Sequence, residues 1–254
     1  MFAAGRLQDG AAAPPVVVLV HGAAMDHTVW VYHTRYFMHI GRSVIAPDLP
    51  GHGHSGGAPW NTVEEMAAWL LRALDALGLN EVALAGHSMG ALVALEAAGL
   101  APQRISRLAL LGAAFPMPVS DVLLNAAKAN APESRDMMMI WGHAASAQYG
   151  ANPVAGMHIV NTAMRLLEKA RPGLLHTDLK ACNDYAHGLE AAAAVRARTT
   201  FICGLEDRMT PAPAARQLAA VMRDCAVTTI AGAGHIMMSE QPELTHRQLV
   251  AAVA

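Results

Sequence analysis

Short apolar runs alternate with helical patterns along most of this chain. Runs of four to six residues typical of buried strands occupy Val16–Val20, 43–46, 81–85, 107–112, 199–203 and 226–230. Between the second and third runs, a capping box at 62–65 precedes apolar residues at helical spacing, namely Met66, Leu70, Leu74 and Leu77. Because strands alternate with helices, the pattern predicts an α/β fold with a mostly parallel, doubly wound sheet.

The longest stretch between two predicted strands, residues 113–198, is too long for a structureless connection in a compact domain. Its helix-forming segments are 119–131, 133–147, 154–170 and 174–189, with breaks at Pro116, Pro118, Pro132, Asn152-Pro153 and Pro172-Gly173. The sequence therefore predicts a helical insertion, residues 115–190, within a core formed by 1–114 and 191–254.

A Gly-x-Ser-x-Gly motif lies where the run 81–85 gives way to a helical pattern. Gly86 and Gly90 flank Ser88, with His87 and Met89 between them. In a nucleophile elbow the serine is held on a strained turn from strand to helix, and the glycines let the two elements approach closely. An ordinary tight turn gives the same short motif, so the interpretation depends on partner residues elsewhere in the chain.

Two later loops supply such partners in the order serine, acid, histidine. Asp207 follows the run 199–203, and His235 lies in the Gly-rich loop after 226–230. Thr210-Pro211 fits a helix N-cap at Thr210 followed by a proline in the first helical turn. Asp207 could instead cap this helix, and Glu206 could take the place of Asp207 as the acid. Asp48 precedes Ser88 in the chain and is better explained as a loop-shaping residue. We take Ser88 as nucleophile, His235 as general base and Asp207 as the group that orients it.

Acyl transfer also needs N–H donors for the oxyanion. The amides of Met89, directly after the nucleophile, and of Ala23, in the loop after Val16–Val20, are the candidates. For His21, in the same loop, we expect only hydrogen bonds to the backbone.

Taken together, these motifs resemble the α/β-hydrolase superfamily. They comprise His21-Gly22, the segment 47–55 (PDLPGHGHS), 86–90 (GHSMG), 204–207 (GLED) and Gly234-His235, and they span nearly the whole chain. The resemblance implies a sheet of up to eight strands, a Ser88–Asp207–His235 triad and a cap domain over the site. About twenty residues precede His21, so the first strand or two would be short or missing.

Two differences from related enzymes of the superfamily argue against particular reactions. Members with an aspartate nucleophile, the haloalkane dehalogenases and epoxide hydrolases, have Asp where this chain has Ser88. Hydrolases that cleave carbon–carbon bonds usually carry an aromatic residue after the catalytic histidine, whereas Ile236 follows here.

Methionines cluster in the predicted insertion and beside the catalytic loops, which is typical of core packing and also of an apolar, adaptable pocket. Arg135, Arg165 and Lys169 could reach inward, although no basic cluster marks a carboxylate or phosphate site. We expect the substrate pocket to be lined by Ala24, Met137, Met138, Met157, Met209 and Ile236.

Charge and hydropathy argue against nucleic-acid and membrane partners. The net charge is −2 and the chain has no basic run, so nucleic acid is not an expected partner. Residues 1–6 lack the pattern of a signal peptide and no apolar run reaches transmembrane length, so we expect a cytoplasmic protein without a membrane partner. The sequence leaves open whether the protein forms a homodimer.

Neither cofactor nor metal is expected. His52 and His54 lie in a Gly-rich loop without further ligands nearby, where a solvated or backbone-bonded role fits better than a metal. Cys182, Cys203 and Cys225 have no Cys-x-x-Cys spacing, and packing rather than disulfide formation is expected.

The sequence thus predicts a serine hydrolase that cleaves an ester or related acyl bond of a small to medium apolar substrate through an acyl-enzyme. A carbon–carbon hydrolase or lyase is the enzymatic alternative, and a ligand-binding, receptor-like pseudoenzyme is the alternative from another class.

Overall fold

A computed structural model describes residues 1–7, 15–150 and 153–253, so the predicted break at Asn152 lies outside the described residues. In this part of the chain seven strands form one sheet in the order β1-β3-β2-β4-β5-β6-β7. They are β1 Phe2–Arg6, β2 Val16–Val20, β3 Val44–Asp48, β4 Val82–His87, β5 Ile105–Leu111, β6 Arg198–Gly204 and β7 Cys225–Ile230.

Only β1 runs antiparallel within the described sheet, at its edge against β3, and the neighbouring pairs from β3 to β7 are parallel. The predicted fold class is therefore confirmed. The N-terminal strand that was expected to be short or missing is present as this five-residue edge strand.

The described helices are α1 Val31–His39, α2 Val63–Ala76, α3 Met89–Leu100, α4 Asp121–Lys128, α5 Pro132–Gly142, α6 Ala145–Gln148, α7 Ile159–Lys169, α8 Leu174–Asp184, α9 Gly188–Ala194, α10 Arg216–Val221, α11 Met237–Glu240 and α12 Pro242–Val253. Short 3₁₀ helices cover His27–Trp30, Pro102–Arg104 and Ala212–Ala215.

Helices cover both faces of the sheet. Alternate residues of a strand point to opposite faces, and on the central strands both sets are apolar and buried. On β2, Val18 and Val20 belong to the core shared with α2 and α3, while Val17 and Leu19 belong to the core shared with α1 and α12. The α2 helix begins as predicted, with the Thr62 hydroxyl accepting a hydrogen bond from the Glu65 N–H at 3.1 Å.

Helices α4 to α8, which we call the cap helices, lie between β5 and β6. Pro132, predicted as a break, is the first residue of α5, a position where its missing N–H costs nothing. The expected boundary at residue 190 falls inside α9. This helix packs against α3 so closely that a Cβ on Gly99 would come within 2.9 Å of the Ala191 Cα, which makes α9 part of the core layer.

Across the described residues, none of the helices combines the length and the apolar character needed to cross a bilayer.

Candidate active site

The turn from β4 to α3 holds Ser88 in a strained conformation, with φ 54° and ψ −119°. A Cβ on Gly86 would approach the Gly90 carbonyl oxygen to 2.0 Å, and a Cβ on Gly90 would lie 2.4 Å from the carbonyl oxygens of Val20 and His21. Strand, turn and helix therefore meet at distances that only glycine allows. This is the local geometry of a nucleophile elbow.

Asp207 and His235 meet at the carboxyl ends of β6 and β7. The His235 Nδ1 lies 2.8 Å from the Asp207 Oδ2, and both residues are buried. Asp207 also accepts hydrogen bonds from the N–H groups of Met209 and Thr210 and from the Thr210 hydroxyl, at 2.7 to 2.8 Å. Four hydrogen bonds thus fix the carboxylate that orients the imidazole.

Thr210 was predicted as the N-cap of the following helix, and that prediction was wrong. The next helical turn is the 3₁₀ segment Ala212–Ala215, whose N-cap is Pro211. The Thr210 hydroxyl instead donates to Asp207 and lies 3.0 Å from His235 Nδ1.

Burial by itself would raise the pKa of Asp207, but the facing imidazole and the hydrogen bonds to the carboxylate outweigh it and hold the pKa below its usual range. The group is therefore ionised at neutral pH. A buried carboxylate in this state favours the His235 tautomer with its proton on Nδ1, which leaves Nε2 free to accept a proton.

His235 is held from several sides. Its N–H donates to the Gly142 carbonyl at the end of α5, at 2.9 Å, and its own carbonyl oxygen lies 2.9 Å from His87 Nε2. Burial and the proximity of His235 lower the pKa of His87 to about 3, so this ring is neutral and donates from Nε2. Sequence reasoning missed this role because His87 occupies a variable position of the motif.

Glu240 adds a further connection to this loop. Its Oε1 accepts a hydrogen bond from the Gly234 N–H at 3.0 Å, and its Oε2 accepts one from the Ala144 N–H at 2.8 Å. The histidine loop is thereby joined to the chain just beyond α5.

Ser88 and His235 line the same cavity, whose volume is about 440 Å³. The buried His235 Nε2 has no hydrogen-bond partner among the described residues, and the Ser88 hydroxyl likewise has none there. Catalytic hydrogen bonds are often long in unliganded enzymes and tighten when substrate binds. The predicted nucleophile and the predicted base therefore line one cavity.

The cap helices supply much of the cavity wall. Its apolar residues include Met117, Leu123, Met138, Trp141, Leu179 and Met209. Among the predicted pocket residues, the structure brings Met138 and Met209 to this cavity.

The other predicted pocket residues lie elsewhere. Met157 and Ile236 line a separate cavity of about 260 Å³ beside α1 and α7, and Ala24 lines a smaller one of about 120 Å³. Met137 packs, partly buried, against the core. Consecutive residues point in different directions, so Ile236 turns away from the space that His235 faces.

A cationic side chain borders the Ser88 cavity. Arg208 is exposed and makes no hydrogen bond or ion pair within the described ranges, while Arg165 and Lys169 line the 260 Å³ cavity instead. Sequence reasoning missed Arg208 because it belongs to the acid loop rather than to the insertion. Cys182 also lines the cavity, and all three cysteines are free thiols.

The loop after β2 lies close to Ser88. A Cβ on Gly22 would lie 3.3 Å from the Ser88 Cβ, and Ala23 lines the cavity. In the described part of the chain, neither the Ala23 N–H nor the Met89 N–H donates to a protein acceptor. Both predicted donors are therefore without a protein acceptor among the described residues, one in the loop next to Ser88 and the other directly after it in the chain. His21, as expected, bonds to backbone, at Gly22 O and Leu49 N.

His52 bonds to the backbone, which was one of the two roles expected, but it also has a carboxylate partner that was not expected. Its ring is buried, with Nε2 2.8 Å from the Oδ2 of Asp178 on α8 and Nδ1 3.0 Å from the Pro50 carbonyl oxygen. The sequence carried no sign of this contact, because 126 residues separate the two partners.

Three side chains near the end of β3 form a candidate cation site. Asp26, His27 and Asp48 place potential ligand atoms within 4.8 Å of one another. The Asp48 carboxylate, however, already accepts hydrogen bonds from the N–H groups of His27 and His54, at 2.7 and 2.8 Å. Loop shaping, as expected from the sequence, accounts for Asp48.

Comparison with known proteins fits this geometry. The model of the family described as "Alpha/beta hydrolase family" matches residues 17–248. A pimeloyl-[acyl-carrier protein] methyl ester esterase from Aromatoleum aromaticum is 30% identical over an alignment of 257 positions, gaps included, which covers 90% of this chain and 94% of that protein. The enol-lactonase structure from Burkholderia xenovorans LB400 superposes with a TM-score of 0.84 at 20% identity and covers 98% of this chain and 94% of its own.

Other matches are local. The dihydrolipoyllysine-residue acetyltransferase component of an acetoin cleaving system from Pseudomonas putida is 43% identical over 99 residues, 39% of this chain but 26% of that protein. Several such curated relatives are covered to less than half of their length. The names among the relatives include esterases, lipases and hydrolases of other bonds, which supports hydrolase chemistry in general.

Proposed function

Because the chain belongs to the alpha/beta hydrolase family, we propose that it is a serine hydrolase that cleaves a carboxylic ester, or a related acyl bond, through an acyl-enzyme. One observation carries the proposal. The Asp207–His235 pair, joined at 2.8 Å, leaves His235 Nε2 without a hydrogen-bond partner among the described residues, and His235 lines the same cavity as Ser88.

The chemistry follows from these positions. Ser88 Oγ attacks the substrate carbonyl while His235 Nε2 takes the hydroxyl proton, and Asp207 stabilises the imidazolium that forms. The N–H groups of Ala23 and Met89 donate to the oxyanion, and a donor of this kind is worth about 3 kcal/mol. The imidazolium then protonates the leaving alcohol, and a water molecule activated by the same base hydrolyses the acyl-enzyme.

The cavity supports a small to medium acyl group. Its volume of about 440 Å³ is in the ordinary range for small-molecule sites, and methionine, leucine and tryptophan side chains dominate its wall. Arg208 at its border would tolerate an acyl group that ends in a carboxylate.

A fluorophosphonate probe tests the proposal directly, because it phosphonylates only an activated serine. The wild type should gain one adduct, located at Ser88 by peptide mapping. Ser88→Ala and His235→Ala should gain none. Ser120, which lines the same cavity and caps α4, offers the matched control, and Ser120→Ala should be labelled like the wild type.

A series of p-nitrophenyl esters then tests the acyl group. Burst release of p-nitrophenol is expected, with activity highest for short to medium chains. Labelling without any burst would favour the carbon–carbon hydrolase or lyase. Folded protein without an adduct at Ser88, together with ligand binding unchanged in Ser88→Ala, would favour the receptor-like pseudoenzyme and refute the proposal.

A further inference from the structure

A buried carboxylate of the cap helices reaches the loop beside the nucleophile. The Asp178 Oδ2, on α8, accepts hydrogen bonds from the Ala24 N–H at 2.7 Å and from His52 Nε2 at 2.8 Å. The Asp178 side chain is fully buried, and its Oδ1 has no hydrogen-bond partner among the described residues. A buried charge with so few contacts is costly, so its two bonds call for a functional explanation.

Both bonds are made to the same carboxylate oxygen, and the bond from His52 joins two charged groups. The two nitrogens of the His52 ring face acceptors, the Pro50 carbonyl oxygen and Asp178 Oδ2, so the ring carries a proton on each. Although burial would lower the pKa of His52, the hydrogen bond and the charge of Asp178 outweigh it and raise the pKa. The ion pair ties α8 to the segment that follows β3.

The second bond, from the Ala24 N–H, involves a residue with an unusual backbone conformation. Ala24 has φ 52°, a left-handed conformation that residues with a Cβ rarely adopt. The Asp178–Ala24 bond orients the peptide that joins Ala23 to Ala24, immediately after Ala23, which lines the cavity. The same loop lies against Ser88 through Gly22.

We propose that Asp178 is a positioning residue: by holding the Ala24 N–H, it fixes the loop that presents the Ala23 N–H to the oxyanion of the tetrahedral intermediate. The inference rests on the proposed function, because it assumes that Ser88 attacks a carbonyl. Leu179, the neighbour of Asp178, lines the cavity, so the helix that forms part of the substrate wall also sets the oxyanion loop.

The test uses Asp178→Ala and Asp178→Asn in the full chain. Asp184 lies on the same helix, is exposed and pairs with Lys180, so Asp184→Asn is the matched control. For each protein we would measure kcat and KM for a p-nitrophenyl ester, the Ki of a trifluoromethyl ketone, the rate of fluorophosphonate labelling and the melting temperature. The ketone forms an oxyanion at Ser88 and so reports on the transition state.

We expect Asp178→Ala to lower kcat by about 10- to 100-fold, as is typical when a catalytic group is misplaced by a fraction of an ångström. KM should change by less than about three-fold, and the ketone Ki should rise by the same factor as kcat falls. Asp178→Asn retains an oxygen that can accept both hydrogen bonds, so it should recover most of the activity that the alanine loses. Asp184→Asn should match the wild type.

A purely structural role predicts a different result. In that case the melting temperature would fall, while kcat and the ketone Ki of the folded protein would not change, and the positioning role would be refuted. If Asp178→Ala does not fold, Asp178→Leu, which fills the space without an acceptor, replaces it. A folded Asp178→Leu protein that binds the ketone as tightly as the wild type refutes the proposal. An absence of labelling at Ser88 in the wild type would instead refute the proposed function.

Discussion

Replacing Gly90 by alanine sets two opposing effects against each other. Gly90 is the second residue of α3, where alanine would favour the helix by up to about 1 kcal/mol. The new Cβ, however, would lie 2.4 Å from the carbonyl oxygens of Val20 and His21, and real Cβ contacts below 3.0 Å essentially never occur. Because both atoms belong to backbone, the strand end or the helix must move by more than half an ångström.

The steric effect should dominate. Overpacking of this kind costs about 1–3 kcal/mol, and a contact with two rigid carbonyl groups belongs at the upper end. After the helix preference is subtracted, we expect Gly90→Ala to lower the free energy of unfolding by about 2 kcal/mol. For a chain of this size the melting temperature should then fall by about 4–8 °C.

The same movement should reduce activity. Val20 and His21 lead directly into the loop of Gly22 and Ala23, so displacing the end of β2 displaces the proposed oxyanion donor. A misplacement near 1 Å can cost about 100-fold in rate, and we expect fluorophosphonate labelling of Ser88 to slow by about 10- to 100-fold.

Calorimetry and labelling kinetics provide the assay, with Gly56→Ala as the control. A Cβ added at Gly56 would meet no atom within 4 Å, and this glycine does not adopt a left-handed conformation, so its replacement should leave both measurements unchanged. A Gly90→Ala protein that melts at or above the wild-type temperature and labels at the wild-type rate would show that the elbow tolerates a side chain, which contradicts the reasoning.

Three further predictions follow from the buried polar groups and from the cation at the cavity border. Burial lowers the pKa values of four histidines well below 6.5, to about 3 for His21, His33 and His87 and to about 4 for His143. Their contribution to stability is complete above pH 6.5 and is lost as the pH falls toward the pKa values of the folded protein. Each histidine should lower the free energy of unfolding by about 1 kcal/mol when the pH falls from 6.5 to 5.5. Burial raises the pKa of Glu240 to about 7, so this carboxyl group should stabilise the protein by about 1 kcal/mol over the same interval. Urea unfolding should therefore give a free energy about 3 kcal/mol lower at pH 5.5 than at pH 6.5, and equal midpoints would contradict this. Glu240→Gln would set an NH₂ donor against the Gly234 or Ala144 N–H, so we expect a loss of about 1–3 kcal/mol in thermal unfolding and slower ester turnover, whereas the exposed Glu243→Gln should have neither effect. Arg208→Gln should lower kcat/KM for a p-nitrophenyl hemisuccinate by about five-fold, as an exposed ion pair worth about 1 kcal/mol would, and leave a neutral butyrate ester unchanged; an equal loss with both esters would exclude recognition of the carboxylate.

The strands and the loops at their carboxyl ends could be predicted from sequence because both depend on local signals. Apolar runs mark the strands, and a parallel sheet brings the ends of β4, β6 and β7 to one edge. For that reason Ser88, Asp207 and His235 could be nominated together from the sequence alone.

The cavity wall could not be predicted in the same way. Its residues depend on how each cap helix is rotated about its axis and seated on the core, and composition does not contain that information. Met138 therefore faces Ser88 while its neighbour Met137 does not. The Asp178–His52 pair was missed for a related reason, since neither residue has a local motif that names the other.

The cap helices are attached both to the loop after β2 and to the loop of His235, and this limits how the protein could be recombined. α8 holds the loop after β2 through Asp178, and the end of α5 holds the histidine loop through the Gly142 carbonyl. A chimera that received these helices from another member of the family would inherit a new substrate wall but lose both anchors. Exchange of the cap should therefore succeed only when a carboxylate at position 178 and the backbone contact at 142 are transplanted with it.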